Sequence, residues 1–323
     1  MKKNIAVIGC GHWGKNLVRN FSEIGALGAV CDPNVELAES YANECKVKNL
    51  TFDEILNNPD LKGIVIAAPA PLHASMGIDA MNAGKHVYIE KPLAMNKTEA
   101  KEMIDSAKKN DVRLMVGHLL QYHPVFIEVR NLVHSGDLGS LNYIYSNRLS
   151  FGKVRTEEDV IWSFAPHDIS MILSLVNQDL KSVNTQASSI LQSNISDIAT
   201  INLEFENVKA HISVSWLHPH KEQKLVVISD NGMIVFDDTK LWHEKLAIFQ
   251  HKIRFHEKIP MLDKAQVEYV QVQESEPLKN ECLHFIDVVN KNIEPLTNGK
   301  EGLDVLNVLE AASISKTNRQ VVN

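Results

Sequence analysis

Apolar and polar positions follow two different rhythms along this chain, and the change falls near residue 120. Before it, short unbroken apolar runs alternate with stretches whose apolar residues recur every three or four positions. Ile5 to Ile8 is the first run, and Leu17, Val18, Phe21 and Ile24 follow at helical spacing. Leu27 to Cys31, Ile64 to Ala68, His86 to Ile89 and Arg113 to Val116 are further strand candidates. Ile64 to Ala68 is apolar throughout, as a parallel strand covered on both faces should be. Asn96-x-x-Glu99 reads as a helix start, with Ala100, Met103, Ile104 and Ala107 sharing one face. Strand–helix alternation of this kind predicts a doubly wound parallel sheet over residues 1–120.

Beyond residue 120 the period becomes two. Ala199, Ile201, Leu203 and Phe205, then Val208, Ala210, Ile212, Val214 and Trp216, alternate with polar residues and predict a hairpin with one apolar face. A second hairpin, Leu225 to Ile228 and Met233 to Phe236, turns at Asp230-Asn231-Gly232. Its strands are apolar on both faces, so both need cover. Helices supply one cover, and a partner subunit or an internal layer supplies the other. Lys279 to Asn290 and Glu301 to Ser315 are helical in period, whereas residues 238–280 give no clear reading. The expectation is an α/β protein of two domains, 1–120 and 121–323, with the last helix packing back toward the first.

Composition narrows this little. With 44% hydrophobic and 23% charged residues in 323, the chain is an ordinary globular one. A net charge of −7 argues against a sequence-independent nucleic-acid binder, although local Arg and Lys can still hold a small anion. Cys10, Cys31, Cys45 and Cys282 show no ligand spacing, so no metal is expected and a reducing, cytoplasmic setting is. The apolar stretch after Met1-Lys2-Lys3 is too short for a signal peptide, and no run approaches a membrane span.

The chemistry begins at Gly9-Cys10-Gly11-His12-Trp13-Gly14, between a predicted strand and a predicted helix. Gly9 suits a tight turn, Gly11 lets the backbone approach a pyrophosphate, and Gly14 permits close helix–strand packing. The helix N-terminus offers N–H groups and a positive dipole end to the phosphates. Asp32 closes the second strand at the spacing expected of an acid that accepts hydrogen bonds from ribose hydroxyls. It repels a 2′-phosphate, which favours NAD over NADP. A glycine-rich turn followed by a chance acid is the bland alternative, and the strand–helix context disfavours it.

Glu90-Lys91-Pro92 sits at the end of the strand His86 to Ile89, where the carboxyl ends of such a sheet face the ligand crevice. Burial and a positive nicotinamide would disfavour the ammonium form of Lys91, fitting it to orient or deprotonate a hydroxyl. Pro92 suits an unusual peptide geometry. A Lys-Pro at the surface is the commoner meaning of such a tripeptide alone, and the glycine fingerprint tips the reading toward function.

With these residues in view, the chain resembles the glucose–fructose oxidoreductase/inositol dehydrogenase/rhizopine-catabolism family. The resemblance runs through the glycine fingerprint, Ala67-Ala68-Pro69-x-x-x-His73, Gly84-Lys85-His86-x-x-x-Glu90-Lys91-Pro92, Gly136-x-Leu138-Gly139 and the late Glu301-Gly302. It implies an N-terminal Rossmann domain that binds NAD. It also implies a C-terminal α/β domain whose large open, mostly antiparallel sheet joins subunits into a homodimer or homotetramer. Lys91 would be catalytic, and Ala68, Pro69, His73 and Glu90 would line the nicotinamide end, with His12 and Trp13 of the glycine turn also at the cofactor.

The family's second catalytic element is a histidine at a helix start, usually four positions after an aspartate. His167 matches; Ser163 stands where the aspartate usually is, and Asp168 follows the histidine. A neutral His167 can take a hydroxyl proton as hydride leaves, while a capping or core histidine is the alternative. The stretches 147–156 and 162–168 resemble a branch whose members often oxidise C3 of UDP-linked N-acetylamino sugars or their uronates. In that reading Tyr122, Arg148, Lys153, Arg155, Ser163, His167, Asp168 and Trp216 meet the substrate, the cations serving a diphosphate or carboxylate. Trp216 and the following Leu217 to Lys221 offer a ring face and polar groups, or equally a solvated basic loop. A free-polyol or inositol dehydrogenase, an NAD-dependent glycosidase and a non-enzymatic NAD(H)-responsive regulator share much of this pattern. The presence of both Lys91 and His167 speaks against the last.

Overall fold

The computed structural model describes residues 2–323. Strand β1 (Ile5–Ile8) is buried at every residue and turns through the glycines into α1 (Gly14–Ile24), which buries Leu17, Val18 and Phe21. Then come β2 (Leu27–Cys31), α2 (Val35–Cys45), the two-residue β3 (Lys48–Asn49), α3 (Phe52–Asn57), β4 (Gly63–Ile66) and α4 (His73–Asn82). β5 (His86–Glu90), α5 (Lys97–Lys109) and β6 (Leu114–Gly117) complete the series. Asn96 caps α5 by accepting the Glu99 N–H, as its sequence position predicts. The six strands lie in the order β3-β2-β1-β4-β5-β6, all parallel. The order reverses between β1 and β4, which places the ligand crevice of such a sheet at their carboxyl ends.

The second series is α6 (Pro124–Ser135), β7 (Leu141–Phe151), α7 (Val160–Leu175), β8 (Ser182–Ser188), β9 (Ile198–Glu204) and β10 (Lys209–Ser215). It continues with β11 (Leu217–Ser229), β12 (Gly232–Asp237), β13 (Leu246–Phe249), β14 (Lys252–His256), β15 (Ile259–Asp263) and β16 (Val267–Tyr269). Eight of these strands form one sheet, β16-β13-β12-β11-β7-β10-β9-β8, in which only β7 and β10 run parallel. Both expected hairpins are present, with Leu203 opposite Ala210 and Ser229 opposite Gly232. Helix α7 covers the face carrying Ile144, Ala210, Ile212 and Val214. The opposite face, with Tyr143, Tyr145, Val226 and Val235, is only partly covered within the chain. The β14–β15 hairpin stands as a separate two-stranded sheet, exposed at every residue.

Helices α8 (Pro277–Lys291) and α9 (Gly299–Asn318) end the chain. Two compact units result, one of residues up to Tyr122 with Ser275–Asn307, the other of His123–Glu274 with Val308–Asn323. The sequence placed residues 121–323 in the second domain, with the last helix packing back toward the first. The structure instead returns α8 to the first, because its apolar stripe belongs to that core. Phe285 meets the rings of Phe21 and Tyr88 edge-on at centroid distances of 6.3 and 5.6 Å, and Leu278, Cys282 and Val289 are buried beside it. Among the described residues, no helix is long and apolar enough to cross a membrane.

Candidate active site

In the first unit the glycine turn is shaped by close backbone approach. Gly9 has φ +88°, and a Cβ there would lie 2.6 Å from the Ala67 carbonyl oxygen at the end of β4. A Cβ on Gly14 would lie 1.8 Å from the Gly9 carbonyl oxygen, so α1 can seat against the turn only with glycine at that position. Gly11, by contrast, opens onto free space: nothing lies within 4 Å of where its Cβ would be. No side chain caps the N-terminus of α1. The half-exposed Asp32 carboxylate accepts the Cys10 N–H at 2.6 Å and the Asn34 N–H at 2.9 Å, which fixes it beside the turn with lone pairs to spare. An uncapped helix N-terminus, a clearance over the middle glycine and an anchored acid together fit a dinucleotide.

His73, Glu90 and Lys91 gather at the ends of β4 and β5. The His73 ring is buried, with Nδ1 2.8 Å from the Pro92 carbonyl and Nε2 2.8 Å from the Ala68 carbonyl. Burial holds its pKa below the usual histidine range, aided by the Lys91 charge and opposed by the two carbonyls. His73, only 1% exposed, therefore ties the Ala68-Pro69 segment to the cis Lys91–Pro92 peptide. Glu90 is buried too, and its carboxylate accepts from the Tyr88 hydroxyl at 3.1 Å and from the Trp13 indole. Burial raises its pKa, while those hydrogen bonds and Lys91 pull it back. Lys91 itself is half-buried, and His12, Trp13 and Pro69 are exposed.

The second unit assigns most of the expected substrate contacts to other work. Arg148 donates through Nε to Asp168 Oδ2 at 2.7 Å and through a terminal nitrogen to Oδ1 at 3.2 Å; Ser146 donates to Oδ1 at 2.6 Å. Asp168 is 1% exposed, so this forked pair ties α7 to β7 and leaves neither group as a free substrate contact. Trp216, one residue past the end of β10, is wholly buried, and its indole donates to Asp197 at 2.6 Å, so it offers no ring face to a ligand. Tyr122, in the first unit, is also buried, its hydroxyl 2.9 Å from Thr297 Oγ1. Ser163 is buried within α7. His167 is half-buried and lies in the interior of that helix, not at its start, because α7 already begins at Val160 under the cap of Asp159. Lys153 is exposed, and Arg155 is partly exposed beside Glu158.

Sequence reasoning missed two buried polar groups of the first unit, Glu281 and His118. Glu281 on α8 is wholly buried, and His118 lies 2.6 Å from Glu301. A signal existed for the first: Glu281 falls on the stripe of Leu278, Cys282, Phe285 and Val289, where an acid is out of place.

Residues 3–118 match the model of an oxidoreductase family with an NAD-binding Rossmann fold, and residues 126–235 match that of the GFO/IDH/MocA C-terminal domain. The chain belongs to the GFO/IDH/MocA oxidoreductase family. This oxidoreductase is 24% identical to YrbE, an uncharacterized oxidoreductase of Bacillus subtilis, over 96% of this chain and 93% of that one. It is 31% identical over 175 residues to the UDP-N-acetylglucosamine 3-dehydrogenase of Acidithiobacillus ferrooxidans, a match spanning 54% of each chain. The solved structure of a UDP-N-acetylglucosamine 3-dehydrogenase from that organism superposes with a TM-score of 0.86 at 22% identity, covering 97% of both chains. The GFO/IDH/MocA member described here is thus an NAD-dependent dehydrogenase by family, with the fold to match.

Proposed function

We propose that this oxidoreductase oxidises the C3 hydroxyl of a UDP-linked N-acetylamino sugar, or of its uronate, to a 3-keto nucleotide sugar. The observation that carries the reading is the 31% identity to a UDP-N-acetylglucosamine 3-dehydrogenase. Lys91 and His167 standing at the family's hydroxyl-handling positions support it. NAD, when bound, supplies the acceptor for the hydride that leaves C3. The chain's own residues do the rest. The turn around Gly11 and the N-terminus of α1 would hold the pyrophosphate, and Asp32 the adenosine ribose hydroxyls. Lys91 orients the sugar hydroxyl, and His167 takes its proton. With Arg148 committed to Asp168, Lys153 and Arg155 are the cations left for a diphosphate or carboxylate. The partly covered face of the eight-stranded sheet, where Tyr145 is 44% exposed, goes in this reading to a second copy of the chain.

NADH absorbance decides the matter. With NAD⁺ present, UDP-N-acetylglucosamine or its uronate should produce NADH, and Lys91→Met should lower turnover by about a thousandfold while NAD⁺ still binds. Turnover confined to free inositols would redirect the substrate assignment. Release of an aglycone with no net NADH would make the enzyme a glycosidase.

A further inference from the structure

Glu281 is a buried carboxyl that the proposed chemistry leaves without a task, and unlike Asp159, Asp168 and Asp197 it makes no hydrogen-bonded tie within the fold. It is 0% exposed on α8, and neither of its oxygens completes a hydrogen bond. The Tyr88 hydroxyl neighbours Glu281 and donates to Glu90 Oε1 at 3.1 Å. Glu90 in turn receives the Trp13 indole N–H from the glycine turn and neighbours Lys91. Four residues thus form a line from the core to the cofactor turn: Glu281, Tyr88, Glu90, Trp13. The space is tight, since a Cβ on Gly117 would lie 2.9 Å from both Glu90 Oε2 and the Tyr88 ring.

We propose that Glu281 is a positioning residue that works as a neutral carboxyl: its O–H turns the Tyr88 hydroxyl hydrogen onto Glu90, so that Glu90 keeps its grip on Trp13 and its charge beside Lys91. A tyrosine hydroxyl has one hydrogen. If Glu281 were an anion it would compete with Glu90 for that hydrogen; as a donor it hands the hydrogen over. Two carboxylates in one buried pocket are costly, and the one without donors, Glu281, keeps its proton. The titratable groups around Glu281 are Tyr88 and Glu90 on β5, Tyr122 after β6, Cys282 on its own helix and Glu301 on α9. Burial, then the charge of Glu90, pushes the Glu281 pKa well above the usual carboxylate range, in keeping with the geometry.

The assignment rests on reading the glycine turn as the NAD site, and its test separates the two. In ¹⁵N-labelled protein without cofactor, the four tryptophan indole signals report on Trp13, which Trp13→Phe identifies. Glu281→Gln keeps a neutral donor and should leave the Trp13 signal and NAD⁺ affinity unchanged. Tyr88→Phe and Glu281→Leu should shift the Trp13 signal and weaken NAD⁺ binding about fivefold, the worth of roughly one hydrogen bond. An unmoved Trp13 signal in Tyr88→Phe overturns the proposal, and so does a Gln variant that behaves like the Leu variant. Tyr88→Phe removes only a hydroxyl, so it decides the case even if Glu281→Leu does not fold. Should the wild type bind no NAD⁺ while the indole pattern holds, the cofactor assignment falls and the line of residues stands.

Discussion

The two sheets of this molecule place their polar chemistry differently, and the difference follows from how each is covered. In the six-stranded parallel sheet, β1, β4 and β6 are buried at every position. Polar groups are thereby driven to the strand ends, where Gly9, Gly14, Asp32, His73 and Glu90 are fixed by backbone approach and backbone hydrogen bonds. In the eight-stranded sheet, one face packs on α7 and the other is half open, so polar residues occur along the strands. There Arg148, Ser146, Asp168 and the Trp216–Asp197 pair serve as ties within the unit. A motif at the end of a two-sided sheet points at a ligand; a polar residue within a one-sided sheet can belong to the core or to the site.

Four experiments would break or sharpen that contrast. The largest effect belongs to Phe285→Ala, which empties the contact between α8 and the rings of Phe21 and Tyr88 and should cost about 4 kcal/mol in denaturant titration. Hydrogen exchange should then rise in β1 to β6 first; a uniform rise across both sheets would contradict the assignment of α8 to the first unit. Next, Asp168→Ala leaves Arg148, 12% exposed, without its counter-charge and should destabilise by about 3 kcal/mol. A loss below about 0.5 kcal/mol would mean that the pair is free for a ligand after all.

Glu281→Gln acts through pH. Below about 4.5 the folded and unfolded chains both carry the Glu281 proton; above it the unfolded chain sheds the proton while the fold retains it. The wild type therefore loses stability as pH rises toward the folded-state value. The Gln variant should gain on it by up to about 1.4 kcal/mol per pH unit. Melting curves from pH 5 to 8 read this, and a gap that stays flat would show that Glu281 titrates normally. The smallest effect is expected from Tyr145→Ser on the half-open face. It should change monomer stability by less than about 0.5 kcal/mol, yet lower the mass seen by light scattering if that face joins two copies.

The first unit was legible because its signals are local. Gly9 to Gly14, Asp32, the Asn96 cap and the all-apolar Ile64 to Ile66 each carry their meaning within a few residues, and the hairpin around Asp230-Asn231-Gly232 did so in the second unit. Strand β7 left no such trace. Its eleven residues mix Tyr143, Ser146, Asn147 and Arg148 in both phases because α7 supplies a buried partner for the polar ones. Trp216 misled for a related reason: it was read as a surface ring because the acceptor that lets an indole be buried, Asp197, lies nineteen residues away. Glu281 needed its neighbours on β5 before its isolation could be recognised.

The β14–β15 hairpin has one further consequence. Every residue from Lys252 to His256 and from Ile259 to Asp263 is exposed, and Lys252, Arg254 and Lys258 are trypsin sites within or beside it. Brief digestion should nick the chain there first. The two fragments should nevertheless elute together, since the shorter one carries both α8, embedded in the first core, and the end of α9, embedded in the second.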